Sequence, residues 1–486
     1  MMKKNIYEIS KEGRRGYYFD TYDLEDYSKS FEIPDKFRRE EAPRLPQVSE
    51  NYVVRHFTNL SNRNYGVDTG MYPLGSCTMK YNPKINEVIA AMPNFSHTHP
   101  SWREKHVQGN MKIIYELQGM LSELTGMPGI SLQPAAGSHG ELTGLMIMKQ
   151  YLIDQGDVHK KNIIIPDSAH GTNPASVTMA GFVAKEVKSN AEGTIDMDAL
   201  ELLIDENTAG LMLTNPNTLG LFEKDILEIT KRIHDVGGLV YCDGANMNAN
   251  MGITRPLEMG FDIVHLNLHK TLSTPHGGGG PGSGPVGVVS RLKEYLPGPI
   301  VIASDEDFYT FKMPAKSIGH VKNYFGNFGV YLRAYVYFLT MGGEGLKLAS
   351  QLAVLNANYM KACLKDAYKV PYKALCKHEF VLAGLKEPGD VSTLDVAKRL
   401  IDYKVHPPTI YFPLIVEQCL MIEPTESESL ETLDDYINIL LKIAKEAKEQ
   451  PELLHNAPTT ASVRRLDEVS VARSPVLSYR FNGEEK

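Results

Sequence analysis

Between about residue 107 and residue 290 the chain alternates short apolar runs with stretches of helical period, and this limits the folds open to it. A helical stretch near 107–125 leads to ISLQP (130–134), and another starting near Glu141 leads to NIIIP (162–166). FVAKEV (182–187), AGLMLT (209–214), GGLVYCD (237–243) and DIVHL (262–266) follow. Short apolar runs separated in this way predict a mostly parallel sheet in an α/β layer. In such sheets, reactive side chains gather beyond the carboxyl ends of the strands. Those ends carry Ser138, His139, His170, Thr214, Asn215, Asp243 and the pair His269-Lys270.

The flanks differ. Residues 1–65 are polar, tyrosine-rich and interrupted by Pro34, Pro43 and Pro46, which suits an arm lying on another surface; a partly disordered terminus is the bland alternative. Residues 66–340 then form a large domain and 341–486 a smaller C-terminal α/β domain with a tail. A helical region near 328–360 leads into it. VHPPTIYFP (405–413) and MIEPTESES (421–429) read as strand and turn. An amphipathic helix follows, with Leu433, Ile437, Leu440, Leu441 and Ala444 on related faces.

Composition narrows the function. A net charge of −8 without a concentrated basic face argues against nucleic acid. No apolar run is long enough to span a membrane, and none follows the basic start MMKKNIYEIS, so neither a membrane span nor a signal peptide is expected. Five scattered cysteines without a CxxC pair suit reduced thiols in a cytoplasmic protein. His97 and His99 in SHTHP have a zinc-like spacing, but no third ligand is apparent, so no metal is expected.

The segment HLNLHKTLSTPHGGGGPGSGPVG (265–287) is the most informative. Lys270 follows the end of an apolar strand and precedes a glycine-rich loop. It is either an ordinary solvated lysine or an amine able to condense with an aldehyde. Asp243 ends GGLVYCD. A carboxylate there would keep a pyridine nitrogen protonated and the ring electron-accepting, although a metal ligand or helix cap would look the same. His170 in DSAHGTNPAS could stack on a cofactor ring, or be polar surface. AAGSHGE (135–141) opens a helix with Gly137, Ser138 and His139, a good phosphate cradle; simple capping by Ser138 is the alternative. The loop is neither GxGxxG after a strand nor a Walker loop, and AAGSHGE is not a GxSxG elbow. Together, phosphate loop, stacking histidine, ring-nitrogen aspartate and amine-bearing lysine point to a pyridoxal 5'-phosphate site.

Those residues, with YCDGANMNA (241–249), PLGSCTMKYNP (73–83) and RRLDEVSVARSPVL (464–477), resemble the glycine decarboxylase P-protein of the glycine cleavage system over nearly the whole chain. The resemblance implies a PLP-dependent transferase fold of type I, aminotransferase-like, in the lysine-bearing half of the two-subunit form. It implies a partner subunit lacking the lysine, two copies of each, with the N-terminal arm wrapped on that partner. Lys270 would hold the cofactor as a Schiff base, Asp243 would pair with the ring nitrogen, and His170 would stack. Gly137, Ser138 and His139 would serve the phosphate with His269 near it, Ala245 would pack under the ring, and Thr214 and Asn215 would meet its edge. Glycine would lose carbon dioxide, and its aminomethyl group would pass to the lipoyl arm of H-protein, with the loop GGGGPGSG as a gate. PLGSCTMKYNP would form part of the pocket wall, with no role assigned to Cys77. Two rivals stand beside this reading: another type I enzyme acting on a small amino acid, and a non-catalytic assembly subunit.

Overall fold

Side chains along the central strands alternate between two apolar cores, and this alternation holds the fold together. Ile163, Ile165, Ala209, Met212, Leu239, Tyr241 and Ile263 belong to one core. Ile164, Leu211, Leu213, Val240, Cys242, Val264 and Leu266 belong to the other. Successive strand residues point to opposite faces, so continuous apolar runs bury both sides of the sheet.

The structure is a computed structural model that describes residues 4–17, 33–275, 282–304 and 307–480. It divides into two units, residues 67–457 and residues 1–66 with 458–486. In the larger unit the strands are β1 (Gly129–Ser131), β2 (Asn162–Pro166), β3 (Val183–Val187), β4 (Thr208–Leu213), β5 (Leu239–Gly244), β6 (Ile263–Leu266) and β7 (Val286–Val288). They form one seven-stranded sheet in the order β1-β7-β6-β5-β4-β2-β3. The neighbours from β3 to β6 pair parallel, while β7 runs antiparallel between β1 and β6. The six apolar runs are therefore strands of a mostly parallel sheet, as expected. The seventh strand lies in GPVGV, just after the glycine-rich segment. Three residues flanked by glycine and proline carry no periodic signal, which is why it was not anticipated.

Helix Gly137–Gln155 covers the Tyr241 face, and helices Gln108–Thr125 and Ile226–Asp235 contribute to the core on the other. Strands β8 (Ile300–Ala303) and β9 (Tyr309–Lys312) form a separate antiparallel pair. The helical region expected near 328–360 spans Phe328–Leu364 and breaks at Gly342, whose φ is 61° and ψ 177°. Beyond it, β10 (Phe380–Ala383), β11 (Thr409–Ile410) and β12 (Cys419–Ile422) make a small antiparallel sheet with β12 in the centre. Helix Leu430–Glu449 starts at Ser429, whose hydroxyl accepts from Thr432 N–H. It sets Leu433, Ile437 and Leu440 into a core with Leu382, Leu420 and Ile422; Leu441 and Ala444 are only partly covered.

In the smaller unit, helix Glu50–Ser61 has no buried residue. The rings of Tyr7 and Tyr479 stack at 4.5 Å. No helix among the described residues is long and apolar enough to cross a membrane.

Gly144 sets how closely helix Gly137–Gln155 approaches the sheet. A Cβ there would lie 2.3 Å from Tyr241 Cε2 and 3.0 Å from Ile263 Cγ2. Gly144→Ala is expected to cost about 1–3 kcal/mol by overpacking, read as a lowered urea midpoint.

Candidate active site

Loops after β1, β2, β4, β5 and β6 converge on a cavity of about 540 Å³, closed on another side by the segment around Ser76 and by the start of β10. Lys270 stands in the short helix Leu268–Thr271 directly after β6. It is half-buried, and its Nζ donates to Ser76 O at 2.8 Å.

Asp243 reaches the cavity from the end of β5 and is 5% exposed. Its Oδ2 accepts from Asn173 Nδ2 at 2.9 Å and its Oδ1 from Ala245 N–H at 3.1 Å. His265 Nε2 stands 3.4 Å from Oδ1. Burial pushes this carboxyl up, but His265, the Asn173 and Ala245 hydrogen bonds and Lys270 together hold it below the ordinary value. It is thus a carboxylate kept ionised in the interior, able to pair with a cationic ring nitrogen.

The support reaches further back. Asn173 Nδ2 also donates to Glu141 Oε2 at 3.1 Å, and Glu141 takes further hydrogen bonds from Ser176 Oγ at 3.0 Å and Thr172 Oγ1 at 2.8 Å. His265 Nδ1 lies 3.0 Å from the Tyr241 hydroxyl, which donates to Gly140 O. His170 is half-buried, and its Nδ1 accepts from Thr172 N–H at 3.2 Å, so its ring is tethered. The ring of Phe412 meets it at 63° and 5.4 Å.

Helix Gly137–Gln155 begins without a side-chain cap. Free N–H groups at such a start suit a phosphate. Gly137 is required there, because a Cβ would lie 2.6 Å from Asn267 Oδ1. That Oδ1 is buried and has no hydrogen-bond partner among the described residues.

Of the ten residues proposed from sequence, Gly137, Ser138, His170, Thr214, Asp243, Ala245, His269 and Lys270 line the cavity. The other two do not. His139 turns back, its Nδ1 accepting from Ala135 N–H at 3.1 Å. Asn215 is buried beneath, its Oδ1 accepting from Glu223 N–H at 3.0 Å. His269 Nδ1 accepts from Ser283 N–H at 3.2 Å. Of the glycine-rich loop, residues 276–281 lie outside the described residues, and so does most of the suggested gate. His97 and His99 belong to neither cluster of potential metal-ligand side chains found among the described residues, Glu141/Asp243/His265 and His378/Glu379/Glu423.

The second cluster was not anticipated. Glu379 and His378, at the start of β10, line the cavity, and Glu423 follows β12 just behind. Glu379 Oε2 accepts from Ser76 N–H at 2.8 Å. Glu423 Oε1 accepts from Thr78 Oγ1 at 2.7 Å and from Asn246 Nδ2 at 3.0 Å. Burial and the neighbouring Glu423 push Glu379 well up, against Ser76 N–H and Lys270. Burial above all brings Glu423 up to about 7, and burial with Lys270 takes His378 down to about 3. Cys77, also in the wall, is pushed up mainly by burial. No local pattern marks HE at 378–379. Glu141 carried a signal, since it lies three residues after Ser138 and shares its helix face.

A buried acid whose pKa is raised by folding binds its proton more tightly in the folded state. Its contribution to stability is complete below the unfolded pKa and is lost as pH rises through the folded one. The urea midpoint is therefore expected to fall between about pH 5 and pH 8. Glu423→Gln should make that fall smaller.

Residues 18–312 match the family model described as Glycine cleavage system P-protein, and residues 349–460 match Glycine dehydrogenase, C-terminal domain. The chain is 60% identical over 475 residues to a protein of Caldanaerobacter subterraneus subsp. tengcongensis named "Probable glycine dehydrogenase (decarboxylating) subunit 2", covering 98% of each. A Staphylococcus haemolyticus protein of the same name is 56% identical over 482 residues, 99% of this chain and 98% of that one. Among solved structures, an inhibitor-bound glycine decarboxylase (P-protein) of the glycine cleavage system superposes with a TM-score of 0.71 at 19% identity, over 85% of this chain and 93% of that one. A Lactobacillus brevis glutamate decarboxylase gives 0.65 at 12% identity, over 87% and 97%.

Proposed function

The chain belongs to the glycine cleavage system P-protein family, and from that premise we propose that it decarboxylates glycine with pyridoxal 5'-phosphate and hands the aminomethyl group to the lipoyl arm of H-protein. The observation that carries this reading is a single cavity bounded by the Lys270 amine, the buried Asp243 carboxylate and the open helix start at Gly137.

These residues fit the cofactor. The uncapped helix start, where only glycine clears Asn267, suits a phosphate, and the Asn267 Nδ2 that lies beside it is a donor able to bind one. Bound there, pyridoxal phosphate supplies an aldehyde for an amine to condense with and a cationic ring that accepts the electron pair left when carbon dioxide departs. Lys270 would hold the aldehyde carbon. Asp243 would keep the ring nitrogen protonated, and His170 and Ala245 would flank the ring. Gly137, Ser138 and Asn267 would take the phosphate, with His269 near it and Thr214 at the ring edge. Over the whole reaction, glycine's C–C bond breaks and carbon dioxide leaves. A C–S bond forms as the S–S bond of the lipoyl arm breaks, and the freed sulfur takes up a proton.

The relatives' name, subunit 2, supports a P-protein made with another subunit, and two copies of each is the proposed assembly. Residues 66–340 would form the cofactor-binding domain, 341–486 the small domain, and 1–65 the arm on the partner. Helix Glu50–Ser61 supports such an arm, since Val54 and Phe57 are 57% and 55% exposed. Cysteines without disulfides suit a cytoplasmic protein.

Two tests follow. Lys270→Ala, incubated with pyridoxal phosphate, is expected to lack the visible absorption of a lysine-bound cofactor. Asp243→Asn should keep that absorption but lower kcat for glycine decarboxylation at least about a hundredfold. Near-normal turnover in Asp243→Asn would contradict the role given to it. For the arm, Val54→Asp with Phe57→Asp is expected to abolish co-purification with the other subunit while leaving the circular dichroism unchanged.

A further inference from the structure

The amine of Lys270 is met by an acceptor that the fold holds in place. Nζ donates to Ser76 O at 2.8 Å, and the N–H of the same residue donates to Glu379 Oε2 at 2.8 Å. Ser76 has a φ of 65°, a conformation that a residue with a side chain adopts only when its surroundings enforce it. The surroundings are visible. A Cβ on the preceding Gly75 would lie 2.3 Å from Met421 Cγ and 2.7 Å from Met421 O, so this turn is pressed against β12. Thr409 Oγ1 donates to Gly75 O at 2.8 Å from β11.

Behind Ser76, Glu379, Glu423 and His378 bring polar atoms within 4.8 Å of one another, and the three residues are 4%, 1% and 3% exposed. Two carboxyls so close and so buried share a proton rather than ionise together. The pair then carries one negative charge. Lys270 is the cation that acts on both carboxyls; Cys77, Cys419 and His378 also face the pair, and Glu426, tied to Lys80, lies behind it.

We propose that the Ser76 carbonyl, backed by the Glu379–Glu423 pair, is where Lys270 is held as an ammonium while glycine occupies the aldehyde carbon, and that this decides which bond of glycine breaks. The proposal rests on the glycine-decarboxylating reading above. The exchange of amines balances: the C=N bond to Lys270 breaks, the C=N bond to glycine forms, and the two protons shed by the glycine ammonium, with the imine nitrogen protonated before and after, end on Nζ and make it an ammonium. A neutral amine released beside the glycine Cα would act as a general base and remove a hydrogen from it. An ammonium anchored on Ser76 cannot. With the base withheld, the bond left to break is the one to the carboxylate. Glu379 and Glu423 are positioning residues, acting through Ser76 and through charge.

The test runs the holoenzyme with its partner subunit and lipoylated H-protein in deuterium oxide. It compares deuterium entering the recovered glycine with carbon dioxide released from carboxyl-labelled glycine. Unaltered enzyme is expected to release carbon dioxide with little deuterium incorporation. Glu379→Gln combined with Glu423→Gln keeps an acceptor for Ser76 N–H but removes the charge of the pair. That double variant should raise the ratio of exchange to decarboxylation at least about tenfold. Glu379→Asp, which keeps two carboxyls, should keep the ratio low. A second readout needs no turnover: in protein stripped of cofactor, acetic anhydride should acetylate Lys270 faster in the double variant, read by mass spectrometry. Should a variant lose both reactions, that rate decides, faster labelling supporting the proposal and unchanged labelling overturning it. A ratio that stays low in a double variant still releasing carbon dioxide would overturn the proposal alone. Failure of the unaltered enzyme to release carbon dioxide from glycine would overturn the functional reading and the proposal with it.

Discussion

A carboxylate held ionised in the interior is the constraint around which the site is built. Burial alone would protonate Asp243, and a protonated acid could not hold a cationic ring nitrogen. Groups that favour its charge must therefore surround it: the donors Asn173 from helix Thr172–Met179 and Ala245 N–H from its own loop, and the His265 ring 3.4 Å away on the neighbouring strand β6. Two of these are themselves fixed from behind. Asn173 is shared with Glu141, and His265 leans on Tyr241, whose hydroxyl is bound to Gly140. Because Tyr241 also touches the space that Gly144 leaves open, helix packing, sheet register and the charge at Asp243 are parts of one arrangement. The parallel pairing of β5 with β6 puts Asp243 opposite His265 in register, so that arrangement requires this sheet.

The opposite wall obeys a different rule. Its chemistry comes from residues far apart in sequence, joined by one short segment running against the small sheet. Leu74 bridges to Ile422, Gly75 N–H donates to Met421 O at 3.2 Å, and Thr78 binds Glu423. A few residues later, the buried Lys80 is paired with Glu426 at 2.7 Å and donates to the Tyr337 hydroxyl at 3.2 Å. A buried ion pair contributes little net stability compared with apolar packing, but breaking one is costly, which makes it a good device for fixing one placement of a chain. Here it fixes residues 74–80 between the long helix and the small sheet, and so fixes Ser76 in front of Lys270.

How much of this was legible in the sequence follows from how local each signal is. Strands β1, β2, β4, β5 and β6 were, because two-sided burial writes a continuous apolar run into a single segment; the edge strand β3, exposed over four of its five residues, is carried only by the shorter pattern FVAKEV. So were Lys270 and Asp243, since strand ends in a parallel sheet converge on one edge. His139 and Asn215 show the limit of reading by adjacency. Neighbours on a helix point about 100° apart, and neighbours along an extended chain point to opposite sides, so Ser138 and Thr214 facing the cavity turn the next residue away. Glu379 lies 303 positions from the Ser76 it binds. No periodicity or motif connects two such positions, and only the folded chain shows that they meet.

The two walls divide the electrostatic work of the site. On the Asp243 side the surroundings favour charge, with donors aimed at a carboxylate held below its ordinary pKa. On the Glu379 side they resist it, since two acids share one buried space and both are pushed up. Pairs of acids driven apart in this way mark which one stays ionised and which one keeps a proton. Lys270 stands between them and lowers the carboxyls on both sides. Moving its positive charge from one wall to the other changes the balance on each, so the place of the lysine and the ionisation of the walls are set together. A site of this kind needs the small sheet as much as the large one, because half of the charges that govern the lysine arrive on β10 and β12.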